Sequence, residues 1–223
     1  MELIKRTFSF GFNRVFFMWC FALPVAAFVI TLFFTGVFAD TAGGNQITNL
    51  GLKKFLAYYT ANGINEFLVI FLNNYMAVLI IVYFGPVALW VRRQWERWRD
   101  RETALSALEK ILLYVFPAVF LVRQAVNIAV IINGMAASIN KNVILMFTGI
   151  VLPHGLPEFL VFCVAGAVGM EVTHKMLFSD SPGQIISGRV MLGLLVLIGA
   201  CAFLEVYFTP RIFAALMSFN AIN

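Results

Sequence analysis

The sequence predicts an all-α fold, that of a polytopic helical membrane protein with about five transmembrane helices. Of the 223 residues, 61% are hydrophobic and only 12% are charged, whereas soluble domains average about 45–50% and about 25%. The mean hydropathy is +0.90, and the apolar residues gather in runs of about 20 or more, the length that crosses a bilayer. No stretch is long and polar enough for a separate soluble domain. We therefore expect a single integral membrane domain over residues 1–223.

The first two predicted spans cover residues 15–38 and 66–91. The first is longer than the apolar core of a signal peptide, which has about 7–15 residues, so we expect it to be retained. Between the spans, residues 50–59 combine lysines with aromatic side chains, which favours a short helix on the membrane surface. The charge run VRRQWERWRDRE (91–102) follows the second span, and its tryptophans indicate a membrane interface beside a solvated cytoplasmic helix.

The third and last predicted spans cover residues 111–139 and 190–208. At about 1.5 Å per residue, the third is longer than the hydrocarbon core of about 30 Å, so it must tilt, kink or protrude. Pro117 favours a kink in this helix. Between these two spans lies another apolar block, residues 143–177, which is interrupted by the string PHGLPEFL (153–160).

PHGLPEFL predicts a break between two helices. Pro153 disfavours continuation of the helix before it, Gly155 permits unusual backbone angles, and Pro157 suits the first turn of a new helix. We expect a short re-entrant or interfacial helix near 143–152 and a second helix over 157–177. Non-helical backbone at membrane depth must be covered by protein or line a water-filled cavity.

Polar residues interrupt several of the apolar spans, and we expect them to form one layer in the outer half of the membrane. Ionisable side chains are costly in lipid and usually face the interior of a helix bundle. The candidate functional cluster comprises Asn73, Asn74, Asn133, Gly134, His154, Gly155, Glu158 and Glu205. Small residues in Gly134-x-x-x-Ser138 and Ala165-x-x-x-Gly169 favour close helix–helix contacts nearby.

Three interpretations of the polar cluster remain open. The side chains can hydrogen-bond helices together, at roughly 1 kcal/mol per bond; they can form a proton or ion relay or a substrate pocket; or they can bind a metal. His154 and Glu158 are four residues apart, as some metal-ligand pairs are, but Pro157 between them weakens the argument for a shared helical face. No HExxH or CxxC is present. We therefore assign no catalytic residue, no metal ligand and no cofactor.

Four sequence motifs, taken in order, resemble those of the stage II sporulation protein M family. They are FLNNYMA (71–77), IINGMA (131–136), LPHGLPEF (152–159) with AGAVG (165–169), and CAFLEVYFTP (201–210). The resemblance covers a core of about residues 70–210, and the first 65 residues show no matching motif. In typical members the first two motifs are joined closely, whereas residues 92–123 separate them here.

This resemblance implies a non-enzymatic polytopic scaffold or assembly subunit of a cell-envelope membrane complex, because the namesake of the family recruits cell-wall hydrolases during engulfment of the forespore. The expected partners are other membrane proteins, a second copy of the chain and the lipid bilayer, but not nucleic acid. A permease or permease subunit, with a proton, ion or substrate site at His154 and Glu158, is the alternative. An intramembrane metallohydrolase is the second alternative.

The distribution of basic residues predicts orientation in the plasma (inner) membrane of a prokaryote. With five crossings and a cytoplasmic N-terminus, eleven basic residues lie inside: Lys5, Arg6, Arg14, Arg92, Arg93, Arg97, Arg99, Arg101, Lys110, Lys175 and Arg189. Four lie outside: Lys53, Lys54, Lys141 and Arg211. This asymmetry follows the positive-inside rule. It favours a cytoplasmic N-terminus and a C-terminus outside, and it accounts for the net charge of +5 without a nucleic-acid partner.

Overall fold

The computed structural model describes residues 13–38, 63–99, 104–138, 143–178 and 186–219, and these residues are almost entirely helical. Five of the described helices are long and apolar enough to cross a membrane. The predicted all-α fold with about five spans is therefore confirmed. The elements are α1 (Arg14–Phe38), α2 (Gly63–Arg99), α3 (Ala107–Ser138), α4 (Val143–Met146), a π-helical segment (Phe147–Gly155), α5 (Leu156–Phe178), α6 (Gly188–Tyr207) and α7 (Thr209–Phe219).

The helices agree closely with the predicted spans but extend further at their polar ends. The charge run expected to form a cytoplasmic helix continues α2 without interruption as far as Arg99. With 37 residues, α2 is about 55 Å long at about 1.5 Å per residue, and it exceeds the hydrocarbon core of about 30 Å. The helix predicted on the membrane surface at 50–59 lies outside the described residues.

A capping box starts α3 earlier than hydropathy predicts. The backbone N–H of Glu109 donates to Ser106 Oγ at 3.2 Å, and Glu109 Oε2 accepts the backbone N–H of Ser106 at 2.8 Å. This reciprocal pair satisfies two backbone donors that a helix start otherwise leaves free. The helix therefore begins at Ala107, four residues before the predicted span.

The predicted break at PHGLPEFL is wrong. A short helical piece is present near 143–152, but the backbone stays helical from Val143 to Phe178 and passes through the π-helical segment. The N–H of Leu156 donates to the carbonyl of Val151, five residues back. The wider π turn gives room for Pro153, which lacks an N–H and whose ring would crowd the preceding α-helical turn.

α5 is the central helix of the bundle and contacts α1, α2, α3 and α6. Glycines allow these close approaches: a Cβ added to Gly169 would lie 2.5 Å from the backbone oxygen of Ile81 on α2. A Cβ added to Gly166 would lie 2.7 Å from Cys20 Sγ on α1. The small-residue face predicted at 165–169 is thus a contact surface between helices of the same chain.

The residues after the last predicted span form a further helix. α6 ends at Tyr207, and α7 begins at Thr209, with Pro210 in its first turn. Phe213 and Leu216 of α7 pack against the π-helical segment at Gly149, where an added Cβ would lie 2.9 Å from Phe213. α7 therefore packs against the side of the π-helical segment.

Candidate functional site

A polar cavity of about 260 Å³ lies among α2, α3, the π-helical segment, α5 and α6. Six of the eight predicted site residues line it: Asn73, Asn74, His154, Gly155, Glu158 and Glu205. Its apolar walls include Leu121, Ile128, Phe159 and Phe162. Residues from four membrane-spanning helices thus meet at one point, although the cluster spans more than 130 positions of sequence.

Three ionisable side chains converge inside this cavity. One ligand atom each of His154, Glu158 and Glu205 lies within 4.8 Å of the other two, and His154 Nε2 is 3.8 Å from Glu205 Oε1. His154 and Glu158 reach the same side of their helix because the chain does not break at Pro157. Pro157 therefore does not prevent His154 and Glu158 from sharing a face, contrary to the weight given to it in the sequence analysis.

Thr209 orients the imidazole of His154. Thr209 Oγ1 donates to the carbonyl of Leu204 at 3.2 Å and lies 2.8 Å from His154 Nδ1. In the tautomer that carries the proton on Nδ1, the ring donates to Thr209 and the lone pair of Nε2 is directed toward Glu205. His154 is 8% exposed and Thr209 is 4% exposed, so this hydrogen bond is shielded from solvent.

The carboxylates of Glu158 and Glu205 repel each other. Glu158 has no hydrogen-bond or ion-pair partner among the described residues, and Glu205 acts on it as a like charge. Two carboxylates close together in apolar surroundings cannot both keep a full negative charge without a compensating proton or cation.

Asn133 and Gly134 lie apart from the cavity, so the predicted single polar layer is divided. Asn133 Nδ2 donates to the carbonyl of Leu32 at 3.0 Å and to the hydroxyl of Thr35, both on α1. Asn133 is 6% exposed. Its amide connects α3 to α1, which is the hydrogen-bonding role expected for an isolated polar residue between membrane helices.

Gln124 lines the cavity and Thr209 contacts His154 Nδ1, but both residues are absent from the predicted cluster. Gln124 lines the cavity from α3, and it interrupts an apolar span in the same way as the asparagines did. Thr209 lies within the quoted motif CAFLEVYFTP, four residues after Glu205. The sequence contained a signal for both residues, since each is a hydrogen-bonding side chain within or beside an apolar helix.

A second concave surface lies at the other end of α2. A groove of about 700 Å³ runs between α2 and α3. Its α2 wall consists of Phe84, Val87, Ala88, Val91 and Trp95, an apolar stripe with three- and four-residue spacing.

An ion-pair network closes this groove at its polar end. Arg92 Nε lies 2.9 Å from Glu96 Oε1, and its Nη1 lies 3.2 Å from Glu109 Oε1 on α3. The Arg92–Glu109 pair joins the two helices. Trp90, Trp95 and Trp98 are 59%, 51% and 78% exposed around it, as expected at a membrane interface.

The comparisons with known proteins identify a family. The family model described as stage II sporulation protein M matches residues 17–210, so the match begins well before residue 70 and includes most of α1. An uncharacterised protein of Methanocaldococcus jannaschii is 27% identical over 139 residues, which cover 60% of this chain and 47% of that protein. The chain therefore spans about half the length of this curated relative. No solved structure matches.

Proposed function

The chain belongs to the stage II sporulation protein M family, and on that premise we propose that it is a non-enzymatic assembly subunit, or scaffold, of a cell-envelope membrane complex. The groove between α2 and α3 supports this proposal best. We assign it to the cytoplasmic side of the plasma membrane, with the N-terminus inside and the C-terminus outside, because the basic residues of α2 cluster beside it.

The groove has the chemistry of a docking site for a helix of another membrane protein. Val87, Val91 and Trp95 follow one another at four-residue intervals and are each about half exposed, at 51%, 50% and 51%. An amphipathic partner helix presents its own apolar residues at the same spacing, so it can pack along this stripe. The Arg92–Glu109 pair at the end of the groove offers charges that fix the register of the partner.

Site-specific photo-crosslinking in native membranes tests the docking site. A photoreactive residue at position 87 or 91 is expected to form one adduct of defined mass with the same protein, identified by mass spectrometry. Val196 on α6, which is 60% exposed, provides a matched control, since it is an exposed valine on another helix. Adducts to lipid alone at all three positions would contradict the scaffold proposal.

A second experiment separates assembly from the chemistry of the cavity. Val91→Arg introduces a charge into the apolar stripe and is expected to abolish the adduct formed at position 87. Glu158→Gln is expected to leave that adduct unchanged, because Glu158 lines the separate cavity. If Glu158→Gln removes the partner and Val91→Arg does not, the docking site is not the groove.

The polar cavity favours one other candidate, a permease or permease subunit for a proton or small ion. Carboxylates, an imidazole and amides face one another among membrane helices, the setting in which transporters bind their coupling ions. At about 260 Å³, the cavity is smaller than the range of about 300–1,000 Å³ for sites that hold drug-sized molecules. The candidate cargo is accordingly an ion rather than an organic solute.

Thiol accessibility tests the permease candidate without altering the carboxylates. In a background without Cys20, Cys163 and Cys201, Ala77→Cys places a thiol in the cavity wall. A permease predicts that a membrane-impermeant reagent labels this thiol. Ala167→Cys serves as the control, since Ala167 is fully buried and lies outside the cavity wall. Equal protection of both thiols would contradict the permease candidate.

A further inference from the structure

We propose that His154, Glu158 and Glu205 bind a divalent transition-metal cation, for which Zn²⁺ is the best match. The three side chains supply one imidazole nitrogen and two carboxylate oxygens, the ligand types that Zn²⁺ takes in proteins. Such a cation would connect the π-helical segment and α5 to α6. It would be a structural element of the bundle whether the chain assembles partners or conducts ions.

The spacing of the ligands suits one small cation. Bonds of about 2.0–2.2 Å in tetrahedral geometry place ligand atoms about 3.4 Å apart. His154 Nε2 and Glu205 Oε1 are already 3.8 Å apart, and all three ligand atoms lie within 4.8 Å of one another. Side-chain rotations that move each ligand atom by on the order of 1 Å bring the three atoms to bonding distance from one cation. The cavity of about 260 Å³ has room for a water molecule as a fourth ligand.

The surrounding hydrogen bonds prepare the imidazole for a metal. Ligating histidines almost always donate their other ring N–H to a neighbouring oxygen, which fixes the tautomer and the ring orientation. Thr209 Oγ1 is that oxygen here, 2.8 Å from Nδ1. In the tautomer that carries the proton on Nδ1, the lone pair of Nε2 is available to a cation, and the side chain is only 8% exposed.

The carboxylates supply an independent argument. Glu158 lacks a hydrogen-bond or ion-pair partner among the described residues, although it faces a second carboxylate. Burying a carboxylate such as Glu158 without a partner is costly. A divalent cation would give Glu158 a partner and would bind Glu205 and the imidazole at the same time.

Metal analysis of the full-length protein tests the site. The protein is purified from native membranes through a tag without histidine, dialysed and analysed for all divalent metals by mass spectrometry. We expect about one equivalent of a transition metal per chain. In chelator-treated protein, Zn²⁺ at a hundredfold excess over its Kd should raise Tm by about 5–10 °C.

Isosteric variants locate the cation. Glu158→Gln and Glu205→Gln are each expected to lower the bound metal at least fivefold, whereas Glu171→Gln, at the other end of α5, leaves it unchanged. Thr209→Val keeps all three ligands and is expected to weaken Zn²⁺ binding about 10–100-fold, the usual effect of removing a ligand-orienting hydrogen bond. Visible absorption of Co²⁺ bound in place of Zn²⁺ would report the ligand set directly.

The wild-type protein alone can overturn the proposal, even if a variant fails to fold. Folded wild type that contains no stoichiometric transition metal, and whose Tm does not respond to Zn²⁺, would overturn the proposal. Metal that stays bound in both glutamine variants would also overturn it. Neither result bears on the docking groove, which the crosslinking experiment tests separately.

Discussion

Gly169 provides the most direct test of the described packing, because it lies where α5 crosses α2. A Cβ at this position would be 2.5 Å from the backbone oxygen of Ile81 and 3.1 Å from Val82 Cα. Ordinary contacts between such atoms are about 3.5 Å, so Gly169→Ala forces the two helices apart by on the order of 1 Å. Both opposing atoms belong to the backbone, and neither can rotate away.

The expected loss of stability follows from two opposing effects. Overpacking costs about 1–3 kcal/mol, whereas alanine improves helix propensity over glycine by about 1 kcal/mol. Gly199→Ala isolates the first effect: its Cβ would meet only Phe71, at 3.5 and 3.8 Å, which are ordinary contacts. The propensity gain is common to both variants, so Gly169→Ala should be less stable than Gly199→Ala by about 1–3 kcal/mol.

Thermal unfolding of the full chain in detergent measures this difference. For a chain of about 150–250 residues, 1 kcal/mol corresponds to about 2–4 °C in Tm, so the two variants should differ by several degrees. The cavity should also be disturbed, since Asn73 and Asn74 reach it from α2 and Glu158 reaches it from α5. Equal Tm values for the two variants would refute the close crossing of α2 and α5.

Two further predictions concern the ends and connections of α3. Asn133→Ala removes the hydrogen bonds to Leu32 and Thr35 and should lower the free energy of unfolding by about 0.6–1.7 kcal/mol. Asn127 is an exposed site on the same helix, and Asn127→Ala should change the free energy of unfolding by less than about 0.5 kcal/mol. Equal effects of the two substitutions in an unfolding series would contradict the described orientation of Asn133. Ser106→Ala removes the N-terminal cap of α3 and should lower the free energy of unfolding by about 1 kcal/mol, whereas Ser106→Gly should lower it by only a few tenths of a kcal/mol. The same unfolding assay compares the two variants. An alanine variant as stable as wild type would contradict the capping box.

The membrane spans were predictable from sequence because a bilayer restricts the backbone conformations that can cross it. Backbone polar groups in lipid must be hydrogen-bonded within the segment, so a long apolar run is nearly always a helix. The same constraint explains why the predicted break at PHGLPEFL was wrong. Proline and glycine end helices readily in water, where freed backbone groups bind solvent, but here the π turn after Phe147 keeps them bonded within the chain.

The location of the cavity was largely predictable, but the rotation of each helix was not. Polar residues within apolar spans indicate a bundle interior, yet they do not show which neighbouring helix they face. Gln124 and Asn133 illustrate the difficulty. They are nine residues apart, which is two and a half turns at about 100° per residue, so they lie on opposite faces of α3. Once Gln124 faces the cavity, Asn133 must face α1, as the structure shows.

The motifs that mark the family converge on the cavity rather than on the groove. FLNNYMA, LPHGLPEF and CAFLEVYFTP all contribute to its wall or to the hydrogen bond between His154 and Thr209, which joins positions 55 residues apart. The groove is lined partly by Arg92, Trp95, Glu96 and Glu109, within the stretch 92–123 that separates the first two motifs here. The cavity and the groove therefore lead to different predictions for related chains. The proposed cation site predicts that the same chemistry recurs in relatives that carry these motifs. Partner binding at the groove should instead be particular to chains that carry the intervening segment.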